Sequence, residues 1–364
     1  MEEFDMAIRM AEESGDKVTL ASVYIVRGMR CFQTGEYLKA ISDFDDAIII
    51  MKRILNDGGE LDENELAKAY AGRGMAYYPK REPDKAMQDF DKCIEIWERL
   101  QLEGKHIEEE FLIRVYAIRS GIINTTSTDM GVAISGAEKS IEIAERRQAS
   151  GEEMDYSIVA YNYLNMGVSC DQKGVDCEQS GDSYGQKIAF EEANTNYSKC
   201  IETWKTLRNN EMEIDYDSLA TAYMNRGSNY YHEMGEIGKA LLDYNEAVRI
   251  REKLEKNGEQ QNAFDMFMVY KNRSQAFEAD GDVESAINDV IPALQILKGS
   301  FSSIVDFQPI YYSVLEELIE LIEKTDNKAL LHETLQEFLH AMCQVPKILE
   351  AEMAHNKILE RLQQ

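Results

Sequence analysis

The sequence predicts an all-α fold, a right-handed α-solenoid built from antiparallel helix pairs. A motif centred on tyrosine recurs six times, and the successive tyrosines are 46, 46, 47, 60 and 47 residues apart. Each copy is followed by small and aromatic residues spaced for one face of a helix. Only 5 of the 364 residues are proline. Because an interior proline costs a helix about 3 kcal/mol, this composition permits long unbroken helices.

The tyrosine motif predicts the first helix of each pair, which we call helix A. A small or apolar residue comes three positions before the tyrosine, and three positions after it comes a residue that is arginine in five copies, followed by glycine or serine. These offsets keep the residues on one helical face. We expect the tyrosines to pack between helices rather than to stack on a ligand. They are Tyr24, Tyr70, Tyr116, Tyr163, Tyr223 and Tyr270.

The second helix of each pair, helix B, follows a short turn that contains glycine in the first copy, at Gly35. In that copy the inward face is Ala40, Phe44 and Ala47. The other five sets are Ala86, Phe90 and Cys93; Ala133, Ala137 and Ser140; Ala193, Tyr197 and Cys200; Ala240, Tyr244 and Ala247; and Ala286, Val290 and Ala293. Each unit is therefore predicted to be two amphipathic helices packed face to face.

The two patterns together resemble the tetratricopeptide repeat family. That family carries a bulky aromatic residue, glycine and a second aromatic residue, and then alanine, an aromatic residue and alanine; Tyr24 and Gly28 begin this series here. The resemblance covers roughly residues 1–300. The usual repeat has about 34 residues. These units are about twelve residues longer and lack the usual closing proline, so we expect helix B to run on and the groove to be deeper.

The ends of the chain depart from the repeat. Residues 1–16 resemble an isolated helix B, with Phe4, Ala7 and Met10 on its inward face, and we expect a half-repeat cap there. Residues 17–300 hold the six predicted pairs. Residues 301–364 are predicted to form a helical cap, with helices at about 327–343 and 347–362 on either side of Pro346. Solenoids need such polar-faced ends.

The charge of the chain excludes some classes of partner. It has 39 basic and 67 acidic side chains, for a net charge of −28. This charge repels phosphate backbones and anionic lipids, so we expect neither nucleic-acid nor membrane binding. Acidic residues cluster before four of the A helices, where helix capping explains most of them, and a basic partner is the alternative. The first residues do not form a signal peptide, and the cysteines suggest no disulfide framework, so we expect a cytoplasmic protein.

Arginine and aspartate vary together between the two helices of a pair. Where the fourth copy has Met166 in place of arginine, helix B has Asn196 in place of aspartate. The third copy keeps Arg119 but has Gly136. Because buried charges are normally paired, we predict structural ion pairs rather than a row of arginines that capture acidic ligands. The pairs are Arg27 with Asp43, Arg73 with Asp89, Arg226 with Asp243, and Arg273 with Asp289.

The resemblance implies that helix A lines a concave groove where peptides bind. The residue two positions before the glycine would point into it, and Asn165, Asn225 and Asn272 take that place in three successive copies. An amide offers a donor and an acceptor to a peptide backbone, although these asparagines could also simply be solvated. The predicted neighbours on the groove wall are Tyr161, Thr221, Met224, Ser228, Lys271 and Gln275.

Two further segments leave the choice between function and structure open. Arg114 lies on helix A among Met75 and Ile118, where methionine serves either an adaptable surface or the core. Residues 171–187 hold an insertion of some 14 residues, rich in loop-forming types, and are predicted to be a loop. That loop would either contact a partner or be a tolerated surface insertion.

The function predicted from these features is a protein–protein interaction scaffold or adaptor that takes a partner peptide or protein in its groove. The alternative is a regulatory protein that senses a peptide and changes curvature on binding it. A remote alternative is an enzyme of unrecognised type, since none of the five histidines has a catalytic partner in the sequence. His332-Glu333 begins like a zinc-protease motif, but Gln336 stands where its second histidine would be. We expect no cofactor and no metal.

Overall fold

The computed structural model describes residues 2–126, 129–152, 155–259, 262–301, 308–325, 327, 329 and 330. These residues form fourteen α-helices and one 3₁₀ turn at Tyr78–Lys80, with no β-strand among them, which confirms the predicted fold class. The helices are α1 (Glu2–Ser14), α2 (Lys17–Gln33), α3 (Tyr37–Asn56), α4 (Glu63–Tyr77), α5 (Pro83–Leu102), α6 (Glu109–Thr126), α7 (Met130–Ala149), α8 (Ser157–Ser180), α9 (Ser183–Asn209), α10 (Tyr216–His232), α11 (Ile237–Lys256), α12 (Ala263–Asp280), α13 (Val283–Phe301) and α14 (Gln308–Glu323).

The helices follow one another as antiparallel neighbours within two compact units. The first unit is Met1–Asn196 and the second is Tyr197–Gln364, so the long helix α9 contributes to both. In the first unit α2 packs on α3, α4 on α5, and α6 on α7, while α1 packs on α2. In the second unit α10 packs on α11 and α12 on α13, and α14 packs on α13. None of the helices described is both long and apolar enough to cross a bilayer.

Aspartates before the A helices act as caps. The side chain of Asp16 accepts a hydrogen bond from the Thr19 amide, and Asp62 does the same for Asn64, both at 3.0 Å. Asp215 serves α10 in the same way. Each cap satisfies an amide that has no partner inside the helix. Capping thus accounts for acidic residues at these positions.

Phe44 holds neighbouring helix pairs together. It is fully buried, and a methyl group added at Gly28 of the same pair would lie 3.0 Å from its ring. A methyl group at Gly72 of the next pair would lie only 2.4 Å from it. Glycine is therefore required on both sides because the helix backbones lie directly against the aromatic ring.

The prediction of a loop at residues 171–187 is wrong. Apart from the turn at Gly181 and Asp182, these residues are helical and lengthen α8 and α9. Tyr163 lies 18 residues before its turn glycine, whereas Tyr24 lies 11 residues before Gly35, so the insertion adds seven residues to this helix. Seven residues make almost two turns, and the inward face is therefore preserved.

The glycines in this insertion give it the composition of a loop, but they have structural roles in the helical hairpin. A methyl group at Gly174 would lie 2.7 Å from the ring of Phe190, so this glycine permits close packing of α8 on α9. Gly181 has a φ of +78° and ends α8, and Asp182 then accepts a hydrogen bond from the Gly185 amide at 2.9 Å. Composition alone cannot separate such a helical hairpin from a loop.

The ends are described only in part. Ile8 and Ala11 are the buried residues of α1, while Met10, predicted to face inward, is 64% exposed. In α14 the apolar residues Leu315 and Ile319 are buried. The predicted helices at 327–343 and 347–362 lie outside the described residues, apart from residues 327, 329 and 330.

Candidate functional site

A groove of about 530 Å³ is bordered by successive A helices of the first unit, α2, α4, α6 and α8. Much of its lining is apolar or aromatic, which suits the side chains of a bound peptide. These lining residues are Phe32, Met75, Tyr78, Ile118, Ile158 and Tyr161. The sequence left Met75 and Ile118 between core and surface. In the structure Met75 is buried, with 6% exposure, and Ile118 is half-buried, and both border the groove.

Arg114 and Asp155 supply charge at the groove. The Arg114 guanidinium lies 3.5 Å from Glu110 and 3.8 Å from Asp155, and its side chain is 41% exposed. Such long, exposed ion pairs contribute little to stability. Arg114 can therefore turn toward a carbonyl or carboxylate of an incoming chain at small cost.

Asn165 and Tyr161 both line this groove. The Asn165 amide nitrogen donates a hydrogen bond to the carbonyl oxygen of Ala117 on α6 at 3.1 Å. Asn124 of α6 donates in turn to the Asn165 carbonyl oxygen at 2.9 Å. These bonds tie α8 to α6, so the amide is oriented by the neighbouring helix before any ligand arrives.

The other two asparagines lie in the second unit. The amide nitrogen of Asn225 lies 3.4 Å from the hydroxyl of Tyr197, the helix B aromatic residue of the preceding pair. Asn272 is buried, with 9% exposure. In the second pair this position is taken by Gly72, which lies against Phe44 of the preceding pair. At Asn225 and Gly72, therefore, the position two before the glycine faces the preceding helix pair.

The remaining predicted wall residues also belong to the second unit. The hydroxyl of Thr221 accepts a hydrogen bond from Arg251 at 3.0 Å. Arg251 is fully buried and also pairs with Asp217 at 2.6 Å, a site that the sequence analysis missed. Met224, Ser228, Lys271 and Gln275 are all half-buried. Of the nine predicted groove residues, only Tyr161 and Asn165 line the groove of the first unit.

The four predicted ion pairs are brought together by the structure. In each pair Nε and Nη2 of the arginine donate to the two carboxylate oxygens of the aspartate. For Arg27 and Asp43 the two distances are 2.9 and 2.6 Å, and for Arg273 and Asp289 both are 2.6 Å. Arg73 with Asp89 and Arg226 with Asp243 have the same arrangement, with both distances at 2.7 Å.

Each of these arginines also reaches the preceding helix B through Nη1, a contact that the sequence analysis missed. Arg27 bonds Asp5 at 2.8 Å and Arg273 bonds Asn245 at 3.0 Å. Arg73 and Arg226 make the equivalent bonds to Asp45 and Ser198. The signal was present, because a polar residue stands two positions after each of the helix B residues Asp43, Asp89, Asn196 and Asp243. Each arginine therefore joins three helices.

The carboxyl group of Glu317 on α14 should make the stability of the second unit depend on pH. Burial raises the pKa of this carboxyl group, while the Lys271 ammonium opposes this effect and Glu278 adds to it. Because the folded pKa lies above the unfolded value, the folded state binds the proton more tightly. We therefore expect the second unit to gain stability as pH falls through the raised pKa of Glu317.

Replacing Glu317 with glutamine should remove this gain and stabilise the unit at neutral pH. Glu284 is exposed on α13 of the same unit and is not among the charges that shift the pKa of Glu317, so Glu284→Gln is the control. Urea unfolding between pH 4 and 8 measures the effect. An unchanged pH profile in Glu317→Gln would contradict it.

Comparisons with known proteins agree with this architecture. The family model of the tetratricopeptide repeat matches residues 67–96 and 220–254. No curated protein matches the chain in sequence.

Among the residues described, no group of three or more histidine, cysteine or acidic side chains is placed to hold a metal ion.

Two solved structures share the fold. One is a Signal Transduction ATPase with Numerous Domains from Pyrococcus horikoshii that has a tetratricopeptide repeat sensor. It is 15% identical with a TM-score of 0.59, and the match covers 92% of this chain but only 43% of that protein. The other is the apo form of the quorum sensor NprR from B. thuringiensis, 14% identical with a TM-score of 0.53, covering 99% of this chain and 96% of that one.

Proposed function

We propose that this tetratricopeptide-repeat protein is an interaction scaffold that binds a partner through a peptide laid in the groove of α2, α4, α6 and α8. The groove is the main support for this proposal, because the A helices of four successive pairs present apolar side chains to one open cavity of about 530 Å³. A cavity of that size accommodates several side chains of a bound segment.

The lining defines the chemistry of a suitable peptide. Met75 and Ile118 favour apolar anchor residues, and methionine adapts its shape to different side chains. Arg114 and Asn165 supply polar contacts that set the direction of the chain. A peptide with two or three apolar side chains and a polar backbone or carboxylate near Arg114 fits this arrangement.

The net charge of −28 adds a second, long-range property. It raises the encounter rate with a partner of net positive charge and lowers that with nucleic acid. We therefore expect a partner that is basic outside the bound segment, with association that slows as salt is added.

The groove is tested by a double variant, Ile118→Asn with Tyr161→Ala. Affinity capture from the native host's lysate should then retain at least tenfold less of the partner that the wild type retains. Leu242→Asn is the control, since Leu242 is an exposed apolar residue of α11, 69% accessible, in the second unit. Equal retention by the groove variant, folded normally by circular dichroism, would refute the groove as the binding site.

A peptide-sensing regulator is the second candidate. The likeness to the apo quorum sensor extends over nearly the full length of both chains, and it supports the view that this fold can serve sensing. A sensor should become more compact when a short peptide binds, whereas an adaptor should keep its dimensions. Small-angle scattering with and without the peptide recovered from the captured partner separates the two.

A further inference from the structure

A second cavity of about 790 Å³ lies between α5 and α7, the B helices of successive pairs, and shares no residue with the groove. Two apolar side chains line it while exposed to solvent: Leu102 is 90% exposed and Val132 is 37% exposed. Other B helices carry lysine at the position of Val132, as at Lys39 and Lys85. At this position the surface is therefore apolar where those pairs are charged, although Glu95, Glu98 and Asp129 also line the cavity.

Arg119 opens onto this cavity with an incomplete set of partners. Its Nε and Nη2 both bind Asp91 of the preceding helix B, at 3.1 and 2.9 Å. The aspartate that other pairs supply from their own helix B is replaced by Gly136. Within the part of the chain that the structure describes, Nη1 of Arg119 has no hydrogen-bond partner. A buried or half-buried guanidinium gains from a second acceptor.

Gly136 is itself buried, but it and Arg119 both border the cavity, so a group inside the cavity can approach the position of the missing aspartate. The preceding pair shows that a second carboxylate is compatible with such a site. There Arg73 binds Asp45 and Asp89 together, and although burial opposes its charge, these hydrogen bonds raise the pKa of the guanidinium. A carboxylate from another molecule beside Arg119 would recreate that arrangement.

We propose that the cavity between α5 and α7 binds a partner segment that presents an aspartate or glutamate beside an apolar side chain. The carboxylate takes the place left by Gly136 and bonds Arg119. The apolar neighbour covers Val132 and Leu102. This site is a second docking point on the first unit and is independent of the groove.

The test uses a display library of random 12-residue peptides. Peptides that bind the purified full-length protein are selected, and those that also bind the Gly136→Asp variant are removed. That variant supplies the missing carboxylate from the chain itself. Gly136→Ala is the matched control, with the same backbone change and no carboxylate. A methyl group at Gly136 would lie 3.2 Å from the buried Ser120 hydroxyl, which donates a 2.7 Å hydrogen bond to the Ala133 carbonyl oxygen, so circular dichroism must first show that both variants fold normally.

The selected peptides should carry aspartate or glutamate within one helical turn of an apolar residue. Their affinity, measured by fluorescence anisotropy, should fall about tenfold on Gly136→Asp and stay within about threefold on Gly136→Ala. Converting the acidic residue of the peptide to its amide should weaken binding to the wild-type protein by a similar factor. Peptides without acidic residues, equal loss on both variants, or no peptide that distinguishes wild type from Gly136→Asp would each overturn the proposal.

Discussion

Replacing Asp89 with alanine should destabilise the first unit by about 3–5 kcal/mol. Asp89 is 2% exposed, and both of its oxygens accept hydrogen bonds from Arg73. Without this carboxylate, the Arg73 guanidinium stays in place with only 17% of its side chain exposed. The loss is large because a buried charge would keep its desolvation cost after losing its main compensation.

The same arginine provides the control. Asp45 binds Arg73 from the other side but is 44% exposed, so Asp45→Ala should cost at most about 1 kcal/mol. Urea unfolding followed by circular dichroism compares the two variants. Equal losses would show that burial of the carboxylate does not decide the strength of the pair. A double variant, Arg73→Met with Asp89→Ala, should recover part of the loss because no buried charge is left alone.

The helix pairs could be predicted from the sequence because their determinants are local and repeat. Tyr24, Ala40 and Phe44 recur at fixed offsets, and a helix converts such offsets directly into one buried face. The pairing of Arg27 with Asp43 could also be predicted, because Met166 and Asn196 replace arginine and aspartate in the same repeat. In both cases the six repeats of the chain can be compared with one another.

Contacts between successive pairs were harder to predict. The Nη1 bond of Arg27 to Asp5 links different repeats, and the offset between those residues depends on how the pairs stack. Stacking likewise brings Asn225 within 3.4 Å of Tyr197, whereas family resemblance placed this asparagine in a groove. The sequence of a single helix does not indicate which part of its polar face a neighbouring helix will cover.

The hairpin of α8 and α9 shows a second limit. Residues such as Gly174 and Gly181 look alike in a sequence, yet one permits close packing inside a helix and the other ends it. Their roles become distinct only when the partner ring of Phe190 is known. The same ambiguity surrounds Gly72, which takes the position of the helix A asparagines and which the structure places against Phe44.

Gly72→Ala should therefore destabilise the first unit by about 1–2 kcal/mol. The new methyl carbon would begin 2.4 Å from the Phe44 ring, against an optimal carbon–carbon separation of about 3.5–4.0 Å. Overpacking of this kind costs about 1–3 kcal/mol, and the clash outweighs the gain of up to about 1 kcal/mol that alanine brings to a helix interior. Gly121→Ala on α6 is the control, because its methyl group would lie 3.7 Å from the nearest atoms and should leave stability equal or slightly higher.

A double-mutant cycle identifies the ring as the cause. Phe44→Leu alone removes buried ring atoms and should cost about 1–2 kcal/mol. Combined with Gly72→Ala, it should cost less than the sum of the two single changes, because the smaller side chain leaves room for the methyl group. Additive losses would mean that Gly72 is needed for some reason other than its contact with Phe44. A coupling of about 1 kcal/mol or more would establish that the glycine of one pair and the aromatic ring of the preceding pair act together in their packing.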